Sequence, residues 1–178
     1  MLKPLRILAI GSVLGLASAR IAAACAFHGY TPDPTLVDVL LSTEQVVIAR
    51  LSDADAERYT PVTALMGPAG VEIDLPVSAD IRTHLLSLPE TMVLLARDGA
   101  YGPWLELATL DPDYRSVIDH VLAYQSKWLL GGDAQRAQYF AGLVNAPNPD
   151  LRDLALRELD RAPYGILKGI QRPAVDGL

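Results

Sequence analysis

The chain has 178 residues, of which 15 are Lys or Arg and 21 are Asp or Glu, so its formal net charge is −6. The first 24 residues hold Lys3, Arg6 and Arg20 and no acid, which leaves 12 basic and 21 acidic residues after them. This acidic balance disfavours nucleic acid as a partner and anionic lipid as a surface for the folded part. The single cysteine, Cys25, excludes an internal disulfide framework and a multi-cysteine zinc site.

The amino-terminal stretch has the pattern of an export signal. Lys3 and Arg6 precede an apolar run over residues 7–19 and the small residues 22–24. This order predicts a signal peptide over residues 1–24, and hence an exported bacterial protein of the periplasm or envelope. An uncleaved anchor is the alternative, but the apolar run is shorter than the roughly 20 residues that cross a bilayer.

The signal predicts cleavage after Ala19 or after Ala24, and the second site makes Cys25 the first mature residue. Residues 21–25 resemble a bacterial lipobox, with Ala22 where Leu is usual. The resemblance implies lipidation of Cys25, which would attach the protein to a membrane through lipid. A free thiol at Cys25, or its removal during processing, is the other reading.

Residues 25–110 are predicted to form a mainly β domain. Short apolar runs bounded by turn residues predict five strands, over 45–51, 58–65, 71–77, 92–97 and 104–110. Two short helices are also expected, one over 34–41 with Asp33 as its N-cap and one over 79–88. Because the strands are joined mostly by short turns, we expect a small antiparallel β-barrel or curled sheet.

Residues 111–178 are predicted to form a helical segment, so the expected fold class is α+β. Proline after a capping residue and apolar residues at helical spacing predict helices over 112–128, 134–144 and 149–161, followed by a short one through 167. Residues 134–161 resemble a HEAT-repeat helix pair, carried by Pro149, Asp150, Arg152, Ala155 and Leu159. One such unit implies a packing motif beside the β domain, since a solenoid needs at least about three repeats.

A second resemblance concerns the β domain. Cys25 near the start, the strand residues 46–50 and 92–96, and the turn at 65–67 are similar to netrin and metalloproteinase-inhibitor barrels. That resemblance implies that Cys25 lies against a protease metal. A second cysteine two residues on is absent, which disfavours an inhibitor role.

Two groups of residues are candidates for chemistry. Cys25 and His28 lie three residues apart, and a thiolate with an imidazole suits Cu(I) or Zn²⁺. The alternative is that His28 caps a turn. Ser116, Asp119 and His120 include the residue types of a hydrolytic triad, but on one helix they are typical of a solvated face.

Five aromatic residues surround the junction of the β and helical parts. They predict a seam between sheet and helices or an exposed patch for a partner or glycan, and they are Tyr101, Trp104, Tyr114, Tyr124 and Trp128.

The leading functional hypothesis is an exported, non-enzymatic interaction or structural protein of the envelope or periplasm. Its expected partner is another envelope protein, and no cofactor or catalytic residue is predicted. One alternative is a metal-handling protein that uses Cys25 and His28, and another is an enzyme with an unrecognised site.

We expect the protein isolated from the bacterial envelope to begin at Arg20 or Cys25, because a signal peptidase removes the leader. Amino-terminal mass spectrometry measures the start, and labelled palmitate with and without globomycin tests lipid on Cys25. Intact chain beginning at Met1 in the cytosol would contradict the predicted export.

Overall fold

The computed structural model describes residues 33–171, so the leader, Cys25 and His28 lie outside the described part of the chain. The elements, in chain order, are α1 (Leu36–Ser42), β1 (Gln45–Leu51), β2 (Tyr59–Met66), α2 (Ala79–Ser87), β3 (Met92–Arg97), β4 (Trp104–Leu110), α3 (Pro112–Leu129), α4 (Asp133–Ala141), α5 (Pro149–Arg161) and α6 (Tyr164–Leu167).

The four strands form one antiparallel sheet in the order β2-β1-β3-β4. β1 and β3 lie in the middle and are buried along nearly their whole length, as their almost continuous apolar sequences predict. The sheet is open and does not close into a barrel. Helices follow the sheet in the chain, and the predicted α+β fold class is confirmed.

Two apolar cores cover the two faces of the sheet. Val46 and Ile48 of β1 belong to the core shared with α1, α3, α4 and α5, which includes the fully buried Phe140. Val47 and Ala49 belong to the core on the opposite face, which includes Leu85 of α2. The side-chain alternation of one central strand therefore joins helices on both sides into one layered structure.

The predicted strand over residues 71–77 is wrong. This segment is irregular, and its one bridge joins Pro76 to Arg58. The apolar and polar side chains of the segment are nevertheless separated as the alternation predicts. Ile73 and Val77 are buried in the core beside α2, whereas Glu72, which precedes Ile73, is exposed. The segment thus covers a face of the sheet with its side chains and does not extend the sheet by pairing.

Several predicted helix ends differ from the observed ones by a few residues. The N-cap of α1 is Thr35 and not Asp33, because Thr35 and Asp38 form a reciprocal capping box. α4 begins at Asp133 and ends at Ala141, before the predicted Val144. The gap between the helices predicted over 112–128 and 134–144 is confirmed, and it contains Gly131, whose φ of +101° suits glycine.

Arg136 of α4, itself half-buried, connects three helices by pairing with the buried Glu158 and the half-buried Asp38. Its Nε donates to Oε2 of Glu158 on α5 at 2.6 Å, and its Nη2 donates to Oδ1 of Asp38 on α1 at 2.9 Å. The Glu158 side chain is 1% exposed, so Arg136 compensates a carboxylate that water does not reach. Arg161 of α5 adds a second ion pair to Asp38, at 3.0 Å.

This network sets the pKa of Asp38. Burial alone would raise that pKa, but the backbone hydrogen bond from Thr35 and the bond and charge of Arg136 outweigh it and lower the pKa below 3.8. The carboxylate therefore stabilises the fold above about pH 4, and this contribution is lost as the pH falls through the lowered pKa.

We expect Arg136→Ala to lower the free energy of unfolding by about 3–5 kcal/mol, because Glu158 would stay buried without a cation. Arg115→Ala is the matched control, since its pair with Asp119 is exposed and contributes less than about 1 kcal/mol. Urea unfolding measures both variants. An Arg136→Ala protein as stable as the Arg115→Ala protein would contradict the role assigned to this network.

Candidate functional site

A cleft of about 350 Å³ opens between the start of α1, strand β4 and the first half of α5. Residues 107–109 of β4 line one side, Tyr114 reaches it from α3, and Asp150, Asp153 and Arg157 line it from α5. Its volume lies at the lower end of the roughly 300–1,000 Å³ typical of ligand pockets.

Two capping residues fix the cleft walls. Asp111 caps α3 by accepting from the Tyr114 N–H at 2.7 Å, and Asn148 caps α5 by accepting from the N–H groups of Asp150 and Leu151. The Asn148 amide also donates to the second carboxylate oxygen of Asp111 at 2.6 Å. The amino termini of α3 and α5 are therefore held together beside the cleft.

Tyr114 is 5% exposed and contributes a hydroxyl group to this cleft. That hydroxyl makes no hydrogen bond to any residue between 33 and 171. Burial, followed by the charges of Asp150 and Asp153, raises the pKa of Tyr114 to about 12, with Arg157 acting in the opposite direction. The hydroxyl is thus neutral at physiological pH and has a donor and an acceptor to offer a ligand.

The cleft is negatively charged. Arg157 donates from Nε to Asp153 at 2.8 Å, so its charge is already matched. The Asp150 carboxylate forms neither a side-chain hydrogen bond nor an ion pair with the described residues. Two carboxylates against one guanidinium group favour a cationic ligand.

β4 lies at an edge of the sheet, so one side of its backbone is bonded to no other strand of the described sheet. The opposite edge, β2, contains Pro61 and two register shifts against β1, features that obstruct further strand pairing. β4 has no proline and one register shift, where Leu107 is the extra residue opposite β3. The more open edge therefore borders the cleft.

The metal ligands predicted from sequence, Cys25 and His28, lie outside the described residues, and that site stays a prediction. Within residues 33–171 no group of three or more His, Cys, Asp or Glu side chains is arranged to hold a metal ion. His84 is on α2 and His120 on α3, which pack on opposite faces of the sheet, so these histidines are far from one another. In the same part of the chain, no helix has the length and apolar character needed to cross a membrane.

Ser116, Asp119 and His120 are not arranged as a triad. Both carboxylate oxygens of Asp119 accept from Arg115, at 2.9 and 3.0 Å. The His120 ring stacks between Tyr124, at 4.4 Å between centroids, and Tyr139, at 3.8 Å. The histidine is therefore part of an aromatic cluster between α3 and α4.

The predicted aromatic seam is divided by the sheet. Tyr114 and Trp128 are buried in the core on the helical side. Trp104 is buried on the other face, beneath the Arg97 guanidinium at 4.6 Å, and its indole N–H donates to the Glu72 carbonyl. Tyr101 is fully exposed in the turn before β4. The five residues thus form neither one seam nor one patch.

Comparisons with known proteins identify no relative: no protein-family model matches the chain, and no curated protein or solved structure is significantly similar to it. The resemblances to a HEAT-repeat helix pair and to the netrin and metalloproteinase-inhibitor family therefore stay predictions, although the sheet of the described residues is open and not a closed barrel.

We expect the pKa of His120 to lie below 6.5, because burial among the rings disfavours the charged imidazole. Because the histidine then has a lower pKa in the folded than in the unfolded protein, the unfolded protein binds the proton more strongly. The free energy of unfolding should therefore fall as the pH drops below about 6.5. Titration of the His120 ring by NMR measures the pKa. The variant His120→Phe keeps a ring in the stack and should lose this part of the pH dependence. A midpoint above 6.5 would contradict the prediction.

Proposed function

We propose that this chain is an exported, non-enzymatic interaction protein of the bacterial envelope or periplasm, and that it binds a segment of another envelope protein in the cleft beside β4. The observation that carries the proposal is the convergence, in one cleft, of an open strand edge and the largely buried Tyr114 residue, whose hydroxyl makes no hydrogen bond to the described residues.

An open strand edge provides a general means of binding. An extended segment that lies along such an edge gains backbone hydrogen bonds, and adjacent pockets select its side chains. The edge of β4 has the pocket beside residues 107–109, with polar groups of Tyr114 and Asp150 within it. These groups give the site the few placed polar contacts that orient a ligand.

The setting of the proposal comes from the sequence. The leader over residues 1–24 supports export, and the acidic balance of the remaining chain supports a protein partner over nucleic acid. Attachment to a membrane would occur through lipid on Cys25.

We expect a photo-crosslinking residue in the cleft, Thr109→p-benzoyl-phenylalanine, to form one discrete adduct with an exported protein in living cells. Thr109 lines the cleft, whereas the control position Thr83 is exposed on α2, on the other face of the sheet. Mass spectrometry should locate the adduct in one extended segment of the partner, and calorimetry with the purified partner should give a defined stoichiometry.

Equal adduct patterns at Thr109 and Thr83 would contradict the proposal, because they would report random collisions. Turnover of a substrate by the purified protein that is lost on substitution of a cleft residue would contradict its non-enzymatic part.

A further inference from the structure

We infer that the cleft accepts a lysine or arginine side chain from an extended partner segment that pairs with β4. This inference rests on the interaction function proposed above and adds the chemistry of the partner.

The first observation is the charge of the cleft. Asp150 and Asp153 line it from α5, and Arg157 pairs with Asp153 at 2.8 Å. One carboxylate is thus left without a cation among the described residues, and a basic side chain would neutralise it. Hydrogen bonds between charged groups are stronger than neutral ones and shape the choice of partner.

The second observation is independent of those charges. Tyr114 is 95% buried, and its hydroxyl lines the cleft without bonding to any residue of the described chain. The hydroxyl is not among the fully buried, unbonded polar atoms of the described residues, so it is open to a ligand group that enters the cleft. An ammonium group has three donors, so it can bond to the Tyr114 oxygen and to a carboxylate together.

An acidic ligand fits the cleft poorly, although the amino terminus of α5 lies there. The first free N–H groups of α5 are those of Asp150 and Leu151, and both already donate to Asn148. The helix terminus is therefore capped and does not offer its usual anion site.

Two occupants from this chain itself are also disfavoured by charge. Residues 26–32, which lead into α1, contain no Lys or Arg. A second copy pairing through its own β4 would bring Glu106 and no basic residue, since the strand sequence is Trp-Leu-Glu-Leu-Ala-Thr-Leu. Of these three occupants, a basic segment of a different protein is the one that the charges favour.

The test selects random heptapeptides displayed on phage against the processed protein. We expect the selected peptides to share a Lys or Arg at one fixed position, flanked by residues that favour strands. The best peptide is then synthesised, together with a version in which that basic residue is Gln, and binding is followed by calorimetry and by amide NMR shifts in β4.

Three variants assign the contacts. Asp150→Asn/Asp153→Asn should weaken the basic peptide by at least about tenfold, and Tyr114→Phe should weaken it by about threefold or more while melting like the wild type. Arg157→Gln should strengthen binding, because it removes the competing cation. Asp74→Asn/Asp80→Asn removes the same charge from exposed positions away from the cleft and should leave binding within about twofold, as surface charges act weakly over distance.

Equal affinity of the basic peptide for the Asp150→Asn/Asp153→Asn protein would overturn the inference, as would selected peptides that lack a basic residue. If either result occurs while peptide binding still shifts the β4 amide signals and Thr109 still forms its adduct, the proposed interaction function is retained and only the basic partner residue is excluded. Selection of acidic peptides that lose binding in Arg157→Gln would overturn the inference in favour of an anionic ligand. Absence of any peptide binding together with absence of the Thr109 adduct overturns the proposed function itself.

Discussion

The arrangement of the helical layer depends on the buried ion pairs of Arg136. A carboxylate that is 1% exposed, Glu158, is kept in the interior by one guanidinium group, which also reaches Asp38 on α1. Such a pair adds little net stability over an apolar replacement, but loss of one partner is costly. Because α1, α4 and α5 meet at this point, the same pair fixes the separation of the α1 and α5 walls of the cleft.

Capping interactions continue this organisation toward the cleft. Asp111 and Asn148 each cap a helix, and the hydrogen bond between them joins residues 37 positions apart in the chain. Since capping side chains satisfy backbone groups that the helix leaves unbonded, this bond joins two helix starts that would otherwise be independent. Tyr114 lies three residues after Asp111, so the hydrogen bond between Asp111 and Asn148 also fixes the position of Tyr114 relative to α5.

Sequence patterns predict most elements of this fold but not its site. β1, β3 and β4 are found within one residue because dense apolar runs identify buried strands, and α3 and α5 because Asp111-Pro112 and Asn148-Pro149 identify helix starts. The sequence predicts a strand over residues 71–77, and the prediction is wrong because alternation indicates which side chains are buried and not whether the backbone pairs. The sequence does not predict the cleft, because Asp150 and Tyr114 lie far apart in the chain and come together only through long-range packing.

The unequal edges of the sheet also limit how copies of this protein can associate. A sheet in which both edge strands can pair with a further strand can extend indefinitely, as it does in fibrils. In the described sheet, Pro61 and the register shifts of β2 obstruct one edge, and β4 forms the open edge. Association by strand addition therefore stops after a single event, so the unequal edges of the sheet protect the protein against open-ended polymerisation.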